Sequence, residues 1–144
     1  MMKVLVINGP NLNLLGVREP GIYGSETYAS LCAYIEKAAA DMGIETAFYQ
    51  SNHEGAIIDE IHGAMGVYDG IVINPGAYTH YSYAILDALK AVQIPAVEVH
   101  ISDIHSRESF RSVSVTAAGC IGQISGHGFQ GYCEALEMLK SYRR

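Results

Sequence analysis

Residues 70–80 read GIVINPGAYTH, a short β-branched run that leads directly into a polar turn. Such a run, bounded by turn residues, is typical of a buried strand in a parallel sheet. The same pattern occurs twice more, as VLVINGPNLN at residues 4–13 and AVEVHISD at residues 96–103. In open α/β sheets, ligands bind outside the carboxyl ends of the strands, where the strand order reverses. The three polar loops therefore predict a binding or catalytic site.

Strands and helices alternate along the rest of the chain. Apolar runs predict five strands, at residues 3–7, 44–49, 70–73, 95–99 and 120–124. Helical periodicity predicts helices at residues 25–42, 54–65, 81–92 and 129–142. This pattern is typical of a single α/β domain, here residues 1–144. We expect a flavodoxin-like three-layer sandwich, with a five-stranded parallel sheet of order 2-1-3-4-5 and helices on both faces.

Local signals refine two of these helices. Ser25 is predicted to be the N-cap of the first helix. The second helix is predicted to bury one face, formed by Ile57, Ile58, Ile61 and Met65.

The composition is that of an acidic globular chain. Hydrophobic residues make up 49% and charged residues 17% of the 144 residues, and the net charge is −6. This charge argues against nucleic acid or an anionic membrane as the main partner. No apolar stretch approaches a membrane span, no signal peptide precedes the first strand, and Cys32, Cys120 and Cys133 lack metal-like spacing. We therefore expect a cytoplasmic protein with free thiols.

The first loop has the length of a functional lid and holds Asn11, Asn13, Arg18 and Tyr23. A tyrosine can act as a base only if its pKa of ~10 is lowered. A nearby guanidinium lowers it by favouring the phenolate. The alternative is a tyrosine packed at the rim and an arginine in water.

The second loop, residues 74–80, precedes a predicted helix. Its backbone N–H groups and the Asn74 amide suit an anion such as a carboxylate. His80 adds a further polar group at the same place. A turn followed by a helix cap explains the Asn-Pro-Gly sequence equally simply.

The third loop holds the strongest signal. Glu98 and His100 are two residues apart on one strand, so they face the same side of the sheet. A carboxylate within an apolar strand is rare unless it is paired. Glu98 could orient His100 and favour its protonated form, as in a general acid. A purely structural ion pair is the alternative.

Three of the five arginines, Arg18, Arg107 and Arg111, lie in or beside these loops. Their placement favours an anionic or polyhydroxy ligand over a solvated charged surface. His80, His100 and His105 could instead bind a metal, but no carboxylate or cysteine completes a standard ligand set. None of the four lysines lies in the three loops, which disfavours Schiff-base chemistry. The lack of a Walker or G-x-G-x-x-G motif after strand one argues against nucleotides.

Taken together, the motifs resemble those of type II 3-dehydroquinate dehydratase over nearly the whole chain. They read NGPNLNLLG at 8–16, REP at 18–20, YG at 23–24, NHEG at 52–55, NPGAYTH at 74–80, EVHIS at 98–102 and HSRESFR at 105–111. The resemblance implies anti elimination of water from 3-dehydroquinate through an enolate, giving 3-dehydroshikimate. The pathway would be aromatic amino acid biosynthesis (the shikimate pathway) or quinate breakdown.

The resemblance also implies roles for individual residues. Tyr23 would take the proton beside the ketone, Arg18 would lower the pKa of Tyr23, and Asn11 would hold the enolate oxygen. His100, oriented by Glu98, would protonate the leaving hydroxyl. The residues that would bind substrate are Asn74, His80, Asp87, Ile101, Ser102 and Arg111, with Asp87 approaching the site of an adjoining subunit. Arg107 would support the lid.

The family needs no metal or cofactor and is typically a homododecamer built of trimers. This sequence departs from it at Leu86, where an arginine is common, and at Asp103, where asparagine is usual. Losing that arginine removes a partner expected for Asp87 at the subunit interface. The competing interpretation is a non-enzymatic module of flavodoxin-like shape that binds a small carboxylate through the same loops.

Overall fold

Five parallel strands form one sheet in the computed structural model, which describes residues 1–17 and 26–142. The strand order is β2-β1-β3-β4-β5, as the sequence predicts. The strands are β1 (Met2–Asn8), β2 (Ile44–Gln50), β3 (Gly70–Asn74), β4 (Ala96–His100) and β5 (Gly122–Ser125). The order reverses between β1 and β3, where Asn8 is the register partner of Asn74.

Four α-helices cover the sheet in the described part of the chain. They are α1 (Tyr28–Asp41), α2 (Glu54–Gly63), α3 (Tyr83–Val92) and α4 (Gln130–Ser141). None of these helices is long and apolar enough to span a membrane.

Two of the helices, α1 and α3, begin two or three residues later than predicted, whereas α2 begins at Glu54 as predicted. Thr27 caps α1: its side chain accepts the Ser30 N–H at 3.1 Å, and Ser30 Oγ accepts the Thr27 N–H at 2.8 Å. Ser25 lies outside the described residues. Ser82 caps α3 by accepting the Ile85 N–H at 3.1 Å. Residues 76–80, just before it, form a short 3-10 turn.

Two apolar layers follow from the alternation of side chains along β1. Val4 and Val6 pack on one face with α1 and α4, and Leu5 and Ile7 pack on the other with α2 and α3. The three-layer prediction is therefore confirmed. The predicted burial of Met65 is wrong, since α2 ends at Gly63 and Met65 is 56% exposed in the following turn.

Gly9 allows the ends of β1 and β3 to approach closely. Its N–H donates to the Asn74 carbonyl oxygen at 2.8 Å. A Cβ at this position would lie 2.5 Å from the Pro75 carbonyl oxygen, too close for any side chain. Glycine is therefore required where the first two polar loops meet.

We expect Gly9→Ala to lower the free energy of unfolding by about 1–3 kcal/mol, because the added methyl group must displace backbone atoms. Gly63→Ala is the matched control, since a Cβ there meets nothing within 4 Å and the position is helical. That change should raise stability by roughly 0.5–1 kcal/mol. Urea unfolding checks both; equal effects would contradict the steric argument.

Candidate active site

A cavity of about 80 Å³ opens at the carboxyl ends of β1, β3 and β4. It lies at the reversal of strand order, where the sequence predicts a site. Seven residues predicted for the site line this cavity: Asn11, Asn74, His80, His100, Ile101, Ser102 and Arg111. Apolar side chains of Leu12, Leu15 and Ile104 share its wall. The cavity is thus apolar in part, with several converging hydrogen-bonding groups, as small-molecule sites usually are.

Asn11 is held in the left-handed region, with φ of 70°. Asparagine tolerates this conformation better than most residues. Its backbone N–H donates to Asn52 Oδ1 at 3.0 Å, and Gln50 Nε2 donates to the same oxygen at 3.2 Å. The Tyr78 hydroxyl donates to the Asn52 carbonyl at 2.8 Å. Asn52, which belongs to the NHEG motif, therefore positions Asn11, a role that sequence reasoning missed.

Tyr23, the predicted base, and Arg18, its predicted charged partner, lie outside the described residues. Their roles remain predictions, as does the prediction of a closing lid.

Asn74 ends β3 and is 4% exposed. Its Oδ1 accepts the Gly76 N–H at 3.1 Å, and its Nδ2 donates to the Tyr132 hydroxyl at 3.1 Å. Tyr132 donates in turn to Asn8 Oδ1 at 2.6 Å. Sequence reasoning placed Asn74 correctly in the cavity but missed Tyr132, whose position in the last helix gives no local signal.

His80 also borders the cavity, and a backbone carbonyl group holds its ring in place. Nδ1 lies 2.8 Å from the carbonyl oxygen of Val113. Because a carbonyl can only accept, Nδ1 carries the hydrogen. Nε2 is left to bond a ligand such as a hydroxyl.

Glu98 and His100 form a buried ion pair, with 2.8 Å between Glu98 Oε2 and His100 Nε2. Glu98 is fully buried and His100 is 5% exposed. Since Nε2 is committed to the carboxylate, the proton available for donation is the one on Nδ1. The predicted pairing is confirmed, and it places a potential general acid at the cavity wall.

Three further donors surround the Glu98 carboxylate. Ser114 Oγ donates to Oε2 at 2.7 Å, Gln123 Nε2 donates to Oε2 at 2.8 Å, and Thr116 Oγ1 donates to Oε1. Burial alone would raise the pKa of Glu98. Hydrogen bonding and charge from His100, with hydrogen bonds from Thr116 and Gln123, outweigh burial and hold that pKa below its usual range. Glu98 is therefore ionised at neutral pH.

Sequence reasoning missed these three donors, although signals for them exist. Gln123 is the register partner of Glu98 on the neighbouring strand β5. Ser114 and Thr116 alternate with valines just before that strand. A polar residue opposite a buried carboxylate is the pattern that would have identified Gln123.

Arg107 and Arg111 bring positive charge to the cavity. Arg111 Nε lies 3.2 Å from Glu108 Oε2, and its guanidinium is 5.2 Å from the Phe110 ring centroid. Both partners are largely exposed, so the arginine side chain remains available to a ligand.

Two predicted groups are not brought to the cavity. Asp87 lies on the exposed side of α3, and His105 does not line the cavity that His80 and His100 share. Within residues 1–17 and 26–142, no cluster of three or more histidine, cysteine, aspartate or glutamate side chains is close enough to hold a metal. The three histidines of the metal hypothesis therefore do not converge.

The fold and the cavity define a flavodoxin-like α/β protein with a polar cleft at the switch point of its sheet. The model of the class II dehydroquinase family matches residues 2–140. The 3-dehydroquinate dehydratase of Caldicellulosiruptor saccharolyticus is 62% identical over 141 residues, covering 97% of each chain.

Solved structures of type II dehydroquinases have the same fold as this chain. The type II dehydroquinase of Butyrivibrio crossotus superposes with a TM-score of 0.94 at 58% identity, covering 97% of this chain and 98% of its own. That of Propionibacterium acnes gives 0.93 at 42% identity, covering 99% and 98%. The chain belongs to the class II dehydroquinase family.

The lowered pKa of Glu98 predicts an acid-dependent loss of stability. A carboxyl group whose folded pKa is depressed stabilises the fold above its unfolded pKa of ~4.3, and the benefit is lost as pH falls through the folded value. Wild type should therefore melt well above Glu98→Gln at pH 5–7, and the gap should shrink below about pH 4.

Thermal melts from pH 3 to 7 measure this gap. Glu134→Gln is the matched control, because the more exposed Glu134–His127 pair at 3.0 Å has the same chemistry. Exposed pairs contribute little, so this variant should track wild type at every pH. A gap for Glu98→Gln that persists unchanged at pH 3 would show that ionisation is not its source.

Proposed function

We propose that this chain is a hydro-lyase that converts 3-dehydroquinate into 3-dehydroshikimate and water. The observation that carries the proposal is the buried Glu98–His100 pair at the wall of a cleft that also holds Asn74, His80 and Arg111. The similarity to 3-dehydroquinate dehydratases supports it, at 62% identity over nearly the full length of both chains. We take residues 1–144 as one catalytic domain, acting in the cytoplasm, and the three free thiols suit a reducing compartment.

His100 is proposed as the general acid. Glu98 fixes the orientation of the imidazole ring and stabilises its protonated form. The Nδ1 proton then passes to the substrate hydroxyl, which leaves as water, and the ring is neutral afterwards. The burial of both groups strengthens this pairing by excluding solvent.

Tyr23 is proposed as the base that removes the proton beside the ketone. Arg18 would favour the phenolate through its positive charge. Asn11 would support the developing enolate oxygen, in our proposal through a water molecule. An enolate needs fixed hydrogen-bond donors, and the constrained backbone of Asn11 meets that need.

The remaining cavity groups are proposed to bind the substrate. Asn74 and the backbone of Ile101 and Ser102 would hold the carboxylate, and His80 and Arg111 the ring hydroxyls. Asp103 has a structural role beside these groups, since its Oδ1 accepts the His105 N–H at 3.0 Å and so caps the turn at residues 104–106.

We further propose that the chain assembles into a homododecamer of trimers. In support, exposed large apolar side chains lie beside the cleft-forming segments, at Tyr81, Tyr83, Phe110 and Val113. Asp87 is exposed on the same helix as Tyr83 and would approach a neighbouring subunit. The Leu86 side chain packs against Gly119 of its own chain: a Cβ added to Gly119 would lie 3.2 Å from Leu86 Cδ1. Leu86 therefore does not take the place of the usual arginine as a partner of Asp87.

The central test is an absorbance assay. Mixing the protein with 3-dehydroquinate should raise the ultraviolet absorbance of the conjugated enone. Tyr23→Phe and His100→Asn should each lower kcat by at least about 100-fold, since general acid or base catalysis contributes roughly 10²–10⁴-fold. Tyr34→Phe and His127→Asn are matched controls on the surface, and both should retain wild-type rates.

The outcomes separate the hypotheses. Ligand binding without enone formation, at high protein concentration, would favour the carboxylate-binding module. Loss of activity with a chelator would favour a metal enzyme. Loss of substrate binding together with turnover in Tyr23→Phe would indicate a structural tyrosine.

Light scattering tests the assembly. Twelve chains of 15.6 kDa predict a particle of about 187 kDa, and a trimer one of about 47 kDa. A single species near 187 kDa is expected. A stable trimer or monomer with full activity would overturn the proposed dodecamer without affecting the proposed reaction.

A further inference from the structure

Tyr132 connects the ends of the two strands at which the sheet order reverses. Its side chain is fully buried, and its hydroxyl lies between Asn8 of β1 and Asn74 of β3. These two asparagines are register partners. Neither Asn8 nor Tyr132 lines the cavity, whereas Asn74 does. The phenol therefore stands behind a cavity residue without meeting the cavity itself.

The directions of these hydrogen bonds follow from the Gly76 N–H, which can only donate to Asn74, and from the single hydrogen of the phenol. The phenol has one hydrogen, which it donates to Asn8 Oδ1 at 2.6 Å. It must then accept from Asn74, so the amide nitrogen of Asn74 faces the phenol. The Asn74 oxygen accepts the Gly76 N–H at 3.1 Å. Both ends of the Asn74 amide are thus fixed, and one Nδ2 hydrogen remains uncommitted.

We propose that Tyr132 is a positioning residue that locks the Asn74 amide so that its free N–H, and not its oxygen, serves the substrate carboxylate. This inference rests on the proposed function. A flipped amide would present an oxygen to an anion and repel it. Asn8 takes part by accepting the phenol hydrogen, which leaves Tyr132 able only to accept from Asn74.

The lock should hold at every pH at which the enzyme works. Burial raises the pKa of Tyr132 far above its usual range, with the Asn74 hydrogen bond only partly opposing it. The phenol therefore keeps its hydrogen, and its bond to Asn8 persists. Any effect of removing the phenol should for this reason be independent of pH.

Removing only the phenol oxygen tests the inference. Tyr132→Phe keeps the ring and removes one of the two hydrogen bonds that orient the Asn74 amide, so that the Gly76 N–H alone holds it. We expect KM for 3-dehydroquinate to rise about tenfold, in line with loss of one charge-assisted hydrogen bond. We expect kcat to change by less than about twofold, because the carboxylate is not a reacting group. The KM ratio should be the same at pH 6 and pH 8.

Asn8→Leu is the second variant, and it keeps the inference testable if Tyr132→Phe does not fold. It should raise KM in the same direction, because the released phenol can then donate to a flipped Asn74 amide. The double variant should be no worse than the more affected single variant, since both act through one amide. Ile61→Ala is the stability control: it destabilises α2, which packs on the face of the sheet opposite Tyr132, so the melting temperature should fall while KM does not change.

A failure of the proposed function can be distinguished from a failure of the positioning role of Tyr132. If wild type forms no enone, the proposed function fails. If wild type turns over and Tyr132→Phe lowers only the melting temperature, with unchanged KM, the phenol is merely structural and the positioning role is wrong. Additive effects of the two variants on KM would also overturn it.

Discussion

The buried negative charge of Glu98 is the constraint on which the rest of the site depends. An ionised carboxylate with no solvent contact costs several kcal/mol unless it is paired and hydrogen-bonded. Here the carboxylate accepts hydrogen bonds from His100 on its own strand and from Gln123 on β5. It also accepts hydrogen bonds from Ser114 and Thr116, in the segment between these two strands. Satisfying one charge therefore draws three parts of the chain together beneath the cavity.

A second polar arrangement works in the same way on the other side of the cavity. Tyr132 joins Asn8 and Asn74 at the switch point, and Gly9 lets their two loops approach. Each arrangement leaves one side chain at the cavity with a defined hydrogen to offer, on His100 in one case and on Asn74 in the other. A proposed acid and a proposed anion-binding group are thus both oriented by residues that the ligand does not touch.

Much of this was predictable from local pattern. Apolar, β-branched runs and helical periodicity located the strands and α-helices of the described residues to within a few positions, and the polar runs at residues 8, 74 and 98–100 marked the cavity. Helix ends were less certain, because a competing cap such as Thr27 depends on a side-chain bond that spacing only suggests. Five residues that orient the site were not predicted, since each acts through a partner 16 or more residues away. They are Asn52, Ser114, Thr116, Gln123 and Tyr132.

By itself the sequence determined the alternation of strands and helices, the edge of the sheet that holds the cavity, and the Glu98–His100 pair, because these follow from short-range periodicity and a two-residue spacing. The strand order was predicted from the fold class that this alternation indicates. Only the tertiary structure decided which donors neutralise Glu98 and which way the Asn74 amide faces. Hydrogen-bond direction depends on partners that folding brings together from distant segments. Tyr132 is 58 residues from Asn74 and 124 from Asn8, and no local pattern carries that information.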